Sequence, residues 1–77
     1  MEKDVFFSIC KECIGIAKRV DAQSVSIAWD EPFALYGLDS LDVMNTLLEL
    51  ESKTGVSFDD IDLAQYNSIE KLFSLHS

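Results

Sequence analysis

Asp39-Ser40-Leu41-Asp42-Val43-Met44-Asn45-Thr46-Leu47-Leu48-Glu49-Leu50-Glu51-Ser52-Lys53-Thr54-Gly55 is the stretch that decides the fold. Val43, Leu47 and Leu50 recur at helical spacing, and Leu41, Met44 and Leu48 form a second stripe beside them. The segment therefore predicts a helix with a wide apolar face. Asp39 is a good N-cap, and Asp42 adds a second carboxylate at the positive end of the helix dipole. At the other end Gly55 can take a left-handed conformation, and Lys53 supplies charge suited to a helix C-terminus. Ser40 then falls at the first helical position. Its hydroxyl is not used in capping and faces solvent beside unpaired backbone N–H groups, where a phosphate is well tolerated. Gly37 to Asp42 fit a plain helix-start serine equally well.

Upstream, Phe6, Ile9, Cys10, Cys13, Ile16, Ala17 and Val20 recur at steps of three and four, which predicts a first helix over Val5–Val20. Gly15 inside it costs about 1 kcal/mol relative to alanine. Asp21 to Leu38 keeps neither helical nor strand period and reads as a long ordered loop, anchored to the helices by Trp29, Phe33, Leu35 and Leu38. Val25, Ile27 and Trp29 alternate, but no second strand is available to pair with them. Downstream, Asp59 to Ala64 has room for one short helical turn. A last helix is expected from Asn67, with Asn67 as cap, Glu70 reaching back, and Ile69, Leu72 and Phe73 facing inward. The expected architecture is all-α: a small four-helix bundle of three longer helices and one short one, forming a single domain over residues 1–77.

Composition narrows the function. A chain of 77 residues supports one small core and leaves little room for a deep, water-excluding active site. The net charge of −8 is concentrated in the middle of the chain. Residues 1–29 balance, as do Glu70 and Lys71, whereas residues 30–62 set Asp30, Glu31, Asp39, Asp42, Glu49, Glu51, Asp59, Asp60 and Asp62 against Lys53 alone. Such a field disfavours nucleic acid and anionic lipid and favours basic patches on partner proteins, although a merely solubilising surface carries the same charge. No apolar run approaches the roughly 20 residues that span a bilayer. Met1-Glu2-Lys3-Asp4 lacks the basic start of a secretory signal, so the cytoplasm is the expected location. Cys10 and Cys13 form a C-x-x-C pair, but a zinc site needs two more ligands and His76 is the only histidine; helix packing is the expected role. With no histidine nearer than His76, no hydrolase triad can be assembled around Ser40.

Gly37-Leu38-Asp39-Ser40-Leu41-Asp42, followed by an apolar helix, resembles the phosphopantetheine-attachment motif of acyl carrier proteins. Pro32-Phe33-Ala34-Leu35-Tyr36-Gly37 looks like that family's approach to the motif, and Tyr66-Asn67-Ser68-Ile69 looks like its passage into the last helix, so the resemblance covers essentially the whole chain. It implies a non-enzymatic, monomeric carrier. Ser40, flanked by Asp39 and Leu41, would receive a covalent 4'-phosphopantetheine from a phosphopantetheinyl transferase that uses coenzyme A. The arm's thiol would then hold an acyl group. Acyl-loading, synthase and tailoring enzymes with basic surfaces would dock on Asp42, Met44, Leu48, Glu49 and Glu51, while Val43, Thr46, Leu47 and Leu50 are candidates to line an acyl pocket.

The departures from the family pattern are informative. Asn45 stands where housekeeping fatty-acid carriers place an acid, and Thr46 where they usually place an aliphatic residue. Leu38, where many of them have alanine, reads more like polyketide or nonribosomal-peptide carriers. The expectation is a carrier in polyketide or another specialised biosynthesis rather than bulk fatty-acid synthesis. If Thr46 borders the pocket, short or polar cargo is favoured; a solvent-facing Thr46 would have no such effect. An aminoacyl or peptidyl carrier, and an unmodified helical interaction module using the Leu41, Met44, Leu48 stripe, remain alternatives.

Overall fold

The computed structural model describes residues 2–58 and 61–75 and is all-helical, with no strand among them. Helix α1 spans Lys3–Lys18, α2 spans Ser40–Thr54 and α3 spans Ile69–Ser74, and short 3-10 turns at Ala22–Ser24 and Phe33–Tyr36 interrupt the long loop between α1 and α2. The all-α class agrees with the sequence, whereas the described residues hold three α-helices in place of the expected four.

The part of the expected short helix that lies among the described residues forms a turn, for a local reason. The first two residues of the expected turn, Asp59 and Asp60, lie outside the described residues, as does His76. From Asp62 onward the chain forms a hydrogen-bonded turn. The Asp62 carboxylate accepts from the Ala64 N–H at 3.0 Å, and its carbonyl accepts from Gln65 and Tyr66. An aspartate that bonds the backbone two residues ahead stabilises a turn in competition with a helix. The last helix also starts later than expected. Its cap is Ser68, whose hydroxyl accepts from the Lys71 N–H, because the Asn67 carbonyl accepts from Phe33 N–H at 2.8 Å and the Asn67 side chain accepts from Lys71 Nζ. The Glu70 N–H donates to the Trp29 carbonyl at 3.0 Å. These two bonds between Phe33 and Asn67 and between Glu70 and Trp29 tie the loop to the beginning of α3, so the loop needs no strand partner.

The core lies where α1 packs along α2 and against α3. Phe6, Cys10, Leu50, Ile69 and Leu72 fill it, with Val25, Ile27, Phe33 and Leu38 brought in from the loop. Trp29 sits between Phe7 and Phe73, its ring centroid 5.9 Å and 5.4 Å from theirs, with the Lys3 ammonium over its face. Leu35 is not an anchor; it points to solvent because the 3-10 turn buries Phe33 instead. The buried stripe of α1 likewise runs through Phe6, Cys10, Cys13 and Ile14, leaving Ile16 and Val20 half-exposed.

Gly15 has a specific role. A Cβ there would lie 2.8 Å from the Val20 carbonyl oxygen, since the chain folds back tightly after α1 and Val20 N–H returns to the Gly15 carbonyl. The reversal passes through Arg19 in the left-handed region, a conformation usually left to glycine. Burial pushes the Cys13 thiol up to about 11, with neighbouring acids adding and Lys53 opposing, and pushes the Cys10 thiol higher still. Both thiols are held neutral inside the helix pair, in keeping with a packing role.

Candidate functional site

Helix α2 begins with a complete capping box: the Asp42 N–H donates to Asp39 Oδ1 at 2.8 Å, and the Asp39 N–H donates to Asp42 Oδ2 at 3.3 Å. The two side chains satisfy backbone donors that would otherwise be orphaned at the helix start. Immediately upstream, Gly37 adopts φ +78°, and nothing lies within 4 Å of where its Cβ would be, so the backbone turns freely into the helix. Leu38 is buried and pins this turn to the core, while Ser40, two residues on, is exposed. The Ser40 hydroxyl makes no hydrogen bond to a described residue. It borders a cavity of about 140 Å³ whose wall includes Phe33, Leu38, Val43 and Leu63.

The electrostatics of this corner depend on a residue that sequence reasoning did not single out. Lys18, at the end of α1, places its ammonium 3.3 Å from Asp42 Oδ2 and 3.5 Å from the Gly37 carbonyl. It ties the end of one helix to the start of the next and offsets one of the two carboxylates flanking Ser40. The pair is too exposed to contribute much to stability. No spacing signal reveals it, because the partners are 24 residues apart.

The candidate docking residues divide into two kinds. Met44 and Leu48 are 52% and 63% exposed and lie with Leu41, at 64%, on one outward stripe of α2. These are large apolar side chains left uncovered on a small protein. Glu49 is half-buried at the edge of the stripe. Asp42 is engaged by the capping box and Lys18, and Glu51 accepts the Phe58 N–H at 2.8 Å, so these two carboxylates hold the chain together.

The candidate pocket residues also divide. Val43 borders the cavity beside Ser40, and Leu47 borders a second one of about 250 Å³ under the outward stripe, with Phe58, Ile61 and Leu63. Leu63 is common to both. Thr46 and Leu50 border neither, being sealed into the core. Thr46 is 2% exposed, and its hydroxyl donates to the Asp42 carbonyl one turn back at 2.8 Å. A solvent-facing Thr46 is thereby excluded.

An exposed hydroxyl at a helix N-terminus, uncommitted to capping and opening on an apolar cavity, fits the linkage of a phosphate-bearing arm. A family model described as phosphopantetheine attachment site matches residues 9–74. No curated protein and no solved structure matches the chain. The matched span takes in α1 from Ile9, the long loop, all of α2 and all of α3. The chain belongs to the phosphopantetheine attachment site family, whose members are non-catalytic carrier domains bearing a covalent 4'-phosphopantetheine.

Proposed function

We propose that Ser40 carries the phosphopantetheine and that the protein holds short or polar acyl intermediates for a polyketide-type or other specialised biosynthetic pathway. The observation that carries the attachment is the exposed, unbonded Ser40 hydroxyl at the first position of α2, between two carboxylates already committed to the capping box. When bound, the group supplies a thiol on a long flexible arm, to which acyl cargo is attached as a thioester. Ser40 presents the linkage to solvent, Asp39 and Asp42 fix the helix start that orients it, and Lys18 compensates charge beside it. Tethering gives each enzyme that meets the carrier a high local concentration of one intermediate.

The cargo preference rests on the interior. Two of the cavities beside α2 hold about 140 Å³ and 250 Å³, and Thr46 and Leu50 are buried outside both of them. Carrier domains work with phosphopantetheinyl transferases and synthase enzymes in general. For this chain the outward stripe Leu41, Met44, Leu48, with Glu49 at its edge, is the docking face that a partner with an apolar contact and a basic rim would cover. Among the described residues no helix is long and apolar enough to cross a membrane.

Intact mass after incubation with coenzyme A and a broad-specificity phosphopantetheinyl transferase tests the attachment. A gain of one phosphopantetheine is expected. A chain that stays unmodified while a known carrier is loaded in parallel would sink the proposal.

Docking has its own test. Glu49→Lys should raise the KM of that transferase for the carrier several-fold at low salt and much less at high salt, because exposed charges are screened within about 10 Å at 0.1 M. Asp42→Lys is a poorer probe, since it also removes the carboxylate that accepts from the Asp39 N–H in the capping box and pairs with Lys18. A KM indifferent to both Glu49→Lys and salt would leave the apolar stripe as the contact.

A further inference from the structure

We propose that the cavity between the end of α1 and the long loop receives the cargo, and that it selects short acyl groups bearing an oxygen function. This rests on the reading that Ser40 carries the arm. The cavity holds about 260 Å³ and shares Leu38 with the cavity that Ser40 borders. Its walls are apolar, formed by Ile14, Ile27 and Leu38, all buried. Its rim is polar, with Ser24, Ser26 and Lys18.

Leu38 is the link to the attachment point. The same side chain borders this cavity and the one that Ser40 borders, so a single residue partitions the space. Above it Lys18 bridges from α1 to Gly37 and Asp42. An arm that extends well beyond one side chain reaches over Leu38 without any change in the helices.

The chemistry of the rim distinguishes this cavity from the one under the α2 stripe. The Ser24 and Ser26 hydroxyls make no hydrogen bond to a described residue and are available to a ligand. Tyr36, by contrast, is committed: its hydroxyl donates to Glu31 at 2.7 Å and accepts from the Ala28 N–H at 3.2 Å, which holds the loop in shape around the cavity. That Glu31 bond also raises the Tyr36 phenol above its ordinary pKa, so the hydroxyl stays protonated. In the α2-side cavity the one charged group, Glu51, already accepts the Phe58 N–H. Plain hydrocarbon suits that cavity, whereas an oxygenated acyl group gains hydroxyl partners only beside the loop. A dry cavity of about 150 Å³ holds benzene, so this one has room for an acyl group of several carbons.

The test compares 15N-labelled arm-only, 3-hydroxybutyryl and octanoyl forms by amide NMR, each checked by intact mass. The 3-hydroxybutyryl form should shift the amides of Val25, Ile27 and Leu38 and leave Leu47 and Leu63 near their arm-only positions. Ser26→Phe, at the exposed rim, should remove those shifts while the circular dichroism stays unchanged. Shifts at Leu47 and Leu63 instead, or none relative to the arm-only form, would overturn this inference alone. An unmodified mass would overturn the attachment reading and this inference with it.

Discussion

Ser40→Ala is expected to take up no phosphopantetheine under conditions that load the wild-type chain completely, and to keep the wild-type circular dichroism. The size of the first effect follows from chemistry, since alanine has no oxygen to form the phosphodiester. The absence of the second follows from the structure. Ser40 is exposed, its hydroxyl bonds no described residue, and the helix start is capped by Asp39 and Asp42. Alanine is also a better helix former than serine, so stability should be unchanged or slightly raised. The pairing of outcomes is what identifies the residue. A variant that lost the arm by unfolding would say nothing about Ser40, and one that still gained the arm would place the attachment elsewhere.

Thr46→Leu is expected to destabilise the protein by about 1–3 kcal/mol, the usual effect of forcing extra methyl groups into a closed core. From the sequence, leucine here looks like a way to widen the apolar wall for a long chain. Packing reverses that expectation. Thr46 is 2% exposed and lines none of the cavities described among these residues, so the added carbons must displace packed neighbours. For a domain of this size each kcal/mol lowers the melting temperature by about 4–8 °C. Thr46→Val keeps the shape and removes only the bond to the Asp42 carbonyl, a loss of at most about 1.5 kcal/mol. Thermal melts of the three proteins without cargo check the argument. A Thr46→Leu protein that melted at or above wild type would mean that an acyl-sized void adjoins Thr46 after all.

Much of the site was legible because its determinants are local. The left-handed Gly55, the Asp39 cap with Asp42 one turn on, and the position of Ser40 all follow from residues within α2 or at its ends, where side-chain length and backbone geometry leave few choices. The inward stripe of Val43, Leu47 and Leu50 was legible for a similar reason, since a period of 3.6 residues puts them on one face. The outward stripe was legible as apolar and as a candidate docking face, and it took the fold to show that no described residue covers it.

What the sequence determined by itself is therefore the all-α class, the start and end of α2, and an exposed serine at its head in a motif that marks a carrier. Only the tertiary structure decided the contacts between distant residues. It drew Asn67 away from capping α3 by giving its carbonyl to Phe33, turned Asp62 into a turn-former, and assigned Glu51 to the Phe58 backbone. It also set Lys18 beside Asp42 and made Leu38 a wall common to two cavities. The physical reason is common to all of these. A polar side chain has several partners of nearly equal energy within its own turn, so the choice falls to whichever backbone group the packing of α1, α2 and α3 brings into range.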